Sequence, residues 1–138
     1  MKRTPADALE AKAQALLGDE HALTRAAADE TGESFRALVD GLPEGVLVHR
    51  DGVVAYANAA AHELLRFEPG ALVGTPIAQL VHPEERTLVA ARVQSLREGA
   101  ERVPPARERL LRSDGSVIVL EVSGLRLTFH GQPAIVVV

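Results

Sequence analysis

The spacing of apolar residues changes repeatedly along this chain, and each change predicts a different element. Leu9, Ala13, Leu16, Leu23 and Ala27 recur at helical spacing within residues 4–31. Thr4 can cap, Pro5 suits the first helical position, and Asp7 complements the positive end of a helix. A helix is therefore predicted there. Its stripe is thin and alanine-rich, so it gains little alone and needs a partner surface. Gly18-Asp19 either ends one helix and caps a second, or is tolerated inside one long helix. Phe35, Leu38 and Val39 then predict a short helix over 34–40, stopped by Gly41 and Pro43.

The period next falls to two. "GVLVH", "RDG" and "VVAYA" predict a hairpin, because Asp-Gly between β-rich runs is a strong turn signal. Asn58 switches the chain to helix. Its side-chain oxygen can accept the free N–H groups of a first turn, and Ala59 to Leu65 propagate the helix cheaply. Pro69, Gly70, Gly74, Pro76 and Pro83 allow only short helices, expected near 70–73 and 76–80. A longer helix is expected over 83–98, with Glu84 and Glu85 in its first turn and Leu88, Val89, Val93 and Leu96 on one face. Three strands follow, separated by "SDGS" and "HGQ", and the middle one is expected to bend at Ser123-Gly124. Pro104 and Pro105 confine the start of the first to an edge or loop.

This order predicts an α+β fold: a five-stranded antiparallel sheet with helices packed on one face, plus an N-terminal amphipathic helix. Residues 1–33 would form the helical leader and 34–138 the domain. The expected core holds Val48, Tyr56, Leu65, Ile77, Leu80, Val89, Val93, Leu110, Leu120, Val122 and Leu127. "AIVVV" is apolar on both parities, so the second face also needs cover, from the leader or a second subunit. The chain stops in a strand-like run, "PAIVVV", so a fragment of a longer protein is expected.

Composition narrows the chemistry. At 138 residues, 46% hydrophobic and 25% charged, the chain suits one folded domain. A net charge of −4 gives no reason to expect nucleic acid or an anionic membrane as partner. Cysteine is absent, which removes disulfides, thiol nucleophiles and Cys-type zinc sites. No apolar run approaches a bilayer span and no signal peptide is present, so a cytoplasmic location is expected.

"FRALVDGLPEGVLVHRDGVVAYANAAAHELLRFEPGALVGTPIAQLVHPEER" and "RLLRSDGSVIVLEVSGLRL" together resemble a PAS domain, over about residues 35–138. The resemblance rests on a hairpin-to-helix element ending in Asn58, a His-Pro-Glu-Glu opening of the long helix at His82, and an Asp-Gly hairpin at Asp114. It implies a sensory or interaction module of a larger signalling protein, with a two-component sensor histidine kinase foremost. It also implies a cavity between sheet and helices, lined by Val48, Tyr56, Leu65, Ile77, Leu80, Val89, Val93, Leu120 and Val122. A homodimer through the leader and the outer sheet face is a further implication.

No cofactor is assigned. The light-sensing flavin type forms a covalent adduct with Cys, which this chain lacks. Haem-binding members commonly use a His on the long helix, and none lies between Glu84 and Glu98. A small ligand, or side chains alone, would fill the cavity. His49 lies on the opposite parity from Val48 and is expected under the leader, whereas Tyr56 is expected to reach inward. Arg107, Glu108 and Arg109 read as a solvated edge. "AHELL" resembles the start of a histidine-kinase phosphoacceptor motif, but His62 sits mid-way in a short helix and the motif does not continue. The alternatives are a ligand-free dimerisation domain of a transcriptional regulator and a small α+β isomerase-type enzyme. The enzyme would need a buried Asp or Glu in the cavity.

Overall fold

The computed structural model describes residues 31–130 and 132–137. The predicted leader helix therefore lies, but for its last residue, outside the described residues. The described elements are α1 (Glu33–Val39), β1 (Leu47–Arg50), β2 (Val53–Ala57), α2 (Ala59–Leu65), two 3-10 turns (Ile77–Leu80 and Pro83–Glu85), α3 (Arg86–Arg97), β3 (Arg102–Leu111), β4 (Val117–Phe129) and β5 (Gln132–Val137). The strands pair antiparallel in the order β2-β1-β5-β4-β3. The fold is α+β.

Local chemistry explains most boundaries. Asp51 and Gly52 both take positive φ, which the β1–β2 turn requires. The helix expected near 70–73 is a set of turns instead, because Gly70 and Gly74 sit at φ 80° and 88°, outside helical space. The long helix divides at Glu85, and Pro83 to Glu85 form a 3-10 turn before α3 begins. The bend expected at Ser123-Gly124 lies opposite a register shift in β3: Val103 pairs Gly124 but Ala106 pairs Val122. Pro104 and Pro105 occupy that shift, where a missing N–H costs least.

The sheet is covered on both faces. On one, Phe35 and Val39 of α1 pack with Val46, Val48, Tyr56, Leu127 and Phe129. On the other, Leu47, Val54 and Ala57 pack with Ala61 and Leu65 of α2, Leu72 and Leu80. Helices on a single face were expected, so α1 is a correction. The period of two in β1 explains it, because Val46 and Val48 serve one layer while Leu47 serves the other.

Tyr56 and Val48 are corrected for the same reason. They were expected to line the cavity, yet both lie on the α1 side. Val48 pairs Tyr56 and His49 pairs Val54, so Ala55 is an extra residue in β2. That bulge puts Val54 and Tyr56, two apart in sequence, on opposite faces.

Candidate functional site

A cavity of about 90 Å³ lies between the sheet and α3. Of the residues expected to line it, Leu65, Ile77, Leu80, Val89, Val93 and Val122 do so. Leu120 instead lines a neighbouring hollow with Leu64 of α2, next to Leu65 and Val122. Leu88, expected on the apolar face of the long helix, points to solvent at 59% exposure. The rest of the lining is aliphatic apart from Ser123 and Gly124 of β4 and three ionisable side chains.

His49 is the first. It was expected under the leader, but it lines the cavity with 1% exposure. Neither ring nitrogen has a hydrogen-bond partner among the described residues. Burial, aided by the positive charge of Arg97, pushes the imidazole down from 6.5 to about 4.

Glu108 is the second. The charge run that includes it was read as a solvated edge, yet Glu108 is 5% exposed and lines the cavity. Burial raises its carboxyl above the ordinary range, and Arg92 offsets this only in part. Arg92, the third, reaches across from α3. Its guanidinium donates to Pro104 O at 2.6 Å and Val122 O at 3.1 Å, and approaches Glu108 at 3.8 Å. It thereby ties α3 to the shifted region of β3 and to β4.

The period of two could have found Glu108. Ala106, Glu108 and Leu110 share one face of β3, while Arg107 and Arg109 share the other. Arg109 holds Glu85, both through its backbone N–H at 3.0 Å and through its guanidinium, and reaches Glu84 at 2.8 Å. These contacts pin the start of α3 to β3.

His62 is structural. Gly70 N at 3.1 Å and Leu72 N at 3.4 Å both donate to its Nε2, which fixes that atom as acceptor. Its Nδ1 therefore carries the proton and donates to Asn58 O at 2.9 Å. With both nitrogens engaged and 7% exposure, the ring pins the loop after α2 rather than offering a phosphoacceptor. Among the described residues, no group of three or more His, Asp or Glu could hold a metal ion. No helix among them is long and apolar enough to cross a membrane.

The His49 environment predicts a pH response. The unfolded imidazole takes up its proton near 6.5, the folded one only near 4. Between those values the unfolded chain binds more protons, so stability falls as pH drops through that window. His49's contribution is fully retained above 6.5. The full loss is at most about 3 kcal/mol. Glu108 acts in the opposite sense, since its raised pKa favours the folded state as the carboxyl protonates. Urea unfolding at pH 7 and at pH 4.5 should therefore show a smaller drop for His49→Leu than for the unaltered chain. Equal drops would mean that the imidazole is hydrated.

Comparison with known proteins agrees with this architecture. A PAS domain from Colwellia psychrerythraea superposes with a TM-score of 0.63 at 18% identity, covering 74% of this chain and 90% of that one. A PAS domain from a two-component sensor histidine kinase gives 0.61 at 14% identity, over 74% and 87%. The PAS domain, in complex with ethanol, of a LuxR-family transcriptional regulator from Burkholderia thailandensis gives 0.62 at 17%, over 75% and 93%. No curated protein matches the sequence. At these identities the superpositions speak for the fold, and the sequence itself supplies the family: residues 33–138 match the PAS fold, and the chain belongs to that family.

Proposed function

We propose that this chain is the sensory module of a cytoplasmic two-component sensor histidine kinase, and that it binds a small molecule in the cavity beside His49. The observation that carries the reading is a buried polar side chain, His49, without a partner among the described residues, set in a largely aliphatic hollow that Glu108, Arg92 and Ser123 also line. Such a group costs about 1–3 kcal/mol when left unpaired, and a ligand that pairs it recovers that cost. The size of the hollow matters too. About 90 Å³ is well under the ~300 Å³ at which sites for drug-sized ligands begin, so neither flavin nor haem is the proposed occupant.

The proposed coupling runs through β1. His49 lies on the cavity side, and its neighbour Val48 packs on the α1 side. The backbone of His49 is also paired with Ile135 of β5, the last described strand. A ligand that favours one setting of β1 would bias both the segment leading into α1 and the one leaving β5.

Self-association is the second part of the proposal. Val117 and Val119 alternate with the cavity-facing positions of β4, and they are 45% and 57% exposed. They would be covered in a homodimer formed through the leader and the outer sheet face. Without a ligand the same surface would serve a dimerisation domain of a transcriptional regulator. Native mass spectrometry of the purified chain, with an absorbance spectrum, separates the two. A dimer that carries a releasable small mass and no chromophore supports the first reading. A clean dimer, empty after growth in varied media, favours the second.

A further inference from the structure

We propose that His49 is the polar anchor for a small, uncharged, aliphatic molecule bearing a hydroxyl group; this rests on the ligand-binding reading above. A neutral imidazole presents one N–H donor and one lone pair. A hydroxyl complements either nitrogen, because it both donates and accepts. An ether or ketone satisfies only the donor.

Charge on the ligand is not rewarded. Glu108 and Arg92 both line the cavity and face each other at 3.8 Å, so their charges offset and neither is free to pair an ionic ligand. Burial also dominates the shifts of His49 and Glu108, one base pushed down and one acid pushed up. The same desolvation acts on any ion that enters. Apart from Ser123 and Gly124, the rest of the lining, Leu65, Leu80, Val93 and Val122 among it, offers aliphatic contact. Water's share of liquid volume is about 30 Å³, so a cavity of about 90 Å³ suits a molecule of a handful of heavy atoms.

The test uses the full chain, isotopically labelled, and follows cavity and remote amides by NMR. The probes are 1-butanol, methyl propyl ether, butyrate and butylammonium, with xenon as an apolar control. 1-Butanol is expected to shift the amides of His49, Val93 and Val122 saturably, and to bind about tenfold more tightly than the other three solutes. His49→Leu should lose about tenfold in 1-butanol affinity, and His49→Gln, which keeps a donor and an acceptor, should retain most of it. The comparison among solutes needs no variant, so a misfolded His49→Leu leaves the proposal open to refutation. Equal binding of 1-butanol and the ether, tighter binding of either ion, or full affinity in His49→Leu overturns it. If xenon enters while 1-butanol does not, the anchor is wrong and the cavity stands. If neither enters, the ligand-binding reading falls as well.

Discussion

Asn58→Ala is expected to lower the free energy of unfolding by about 3–5 kcal/mol. As a helix cap alone the residue would be worth about 1 kcal/mol. Its side chain does more than cap. Oδ1 accepts from Ala61 N at 3.0 Å and from Val46 N at 2.9 Å, while Nδ2 donates to Val39 O at 2.8 Å and Glu44 O at 2.9 Å. One amide group thus joins the end of α1, the segment leading into β1 and the first turn of α2. Asn58 is 1% exposed, so alanine leaves the N–H groups of Val46 and Ala61 buried without their acceptor, while Val39 O keeps Leu42 N at 3.2 Å and Glu44 O is only half-buried. Asn58→Asp keeps the two accepted bonds and sets a carboxylate against two carbonyls, so it should recover part of the loss at most. Urea denaturation with an unchanged m-value is the measurement. A loss near 1 kcal/mol would reduce Asn58 to an ordinary cap.

The value of Asn58 shows where sequence reading reaches and where it stops. The cap was legible, because N-cap preference is local. The bonds to Val39, Glu44 and Val46 were not, since they depend on where α1 and β1 end up relative to α2. The order of strands and helices was legible for the same reason as the cap: turn pairs and periodicity act within a few residues. The bulge at Ala55, which separates Val54 from Tyr56, leaves no mark in the apolar pattern. Alternation rightly put Val48 and Tyr56 on one face and His49 on the other. But Val46, Leu47 and Val48 are apolar on both parities, so the pattern did not say which face meets the cavity, and the structure reverses the assignment of Tyr56 and His49. Glu108 was lost differently. Its position follows from alternation with Ala106 and Leu110, but charged neighbours on both sides drew it into a solvated reading. The aliphatic part of the cavity was the most legible, since helical and turn spacing placed Ile77, Leu80, Val89 and Val93 correctly, with Leu88, at the margin of the same stripe, the exception.

The α1 side of the sheet supplies the other large effect. Phe35→Ala should cost about 3–5 kcal/mol. Phe35 is fully buried, with its ring edge-on to Tyr56 at 6.0 Å and to Phe129 at 5.3 Å between centroids. It is also one of only two buried residues of α1. A helix of seven residues has no independent stability in water, so its docking depends on this ring. Tyr56 reinforces the contact from β2: its hydroxyl donates to Asp40, just past α1, and Arg36 lies 5.7 Å over its ring. Burial and the Asp40 bond raise the Tyr56 phenol well above its ordinary pKa, so that donor is retained throughout the working pH range. Because Phe35 touches the layer opposite the cavity, the damage should be one-sided. Hydrogen exchange should show amides of residues 33–40 opening far more readily, while those of α3 and β4 beside the cavity keep most of their protection. Xenon entry into the hollow should persist. Uniform loss of protection across both layers would show instead that α1 and the cavity wall melt as one unit, and that β1 transmits a change on either face to the whole sheet.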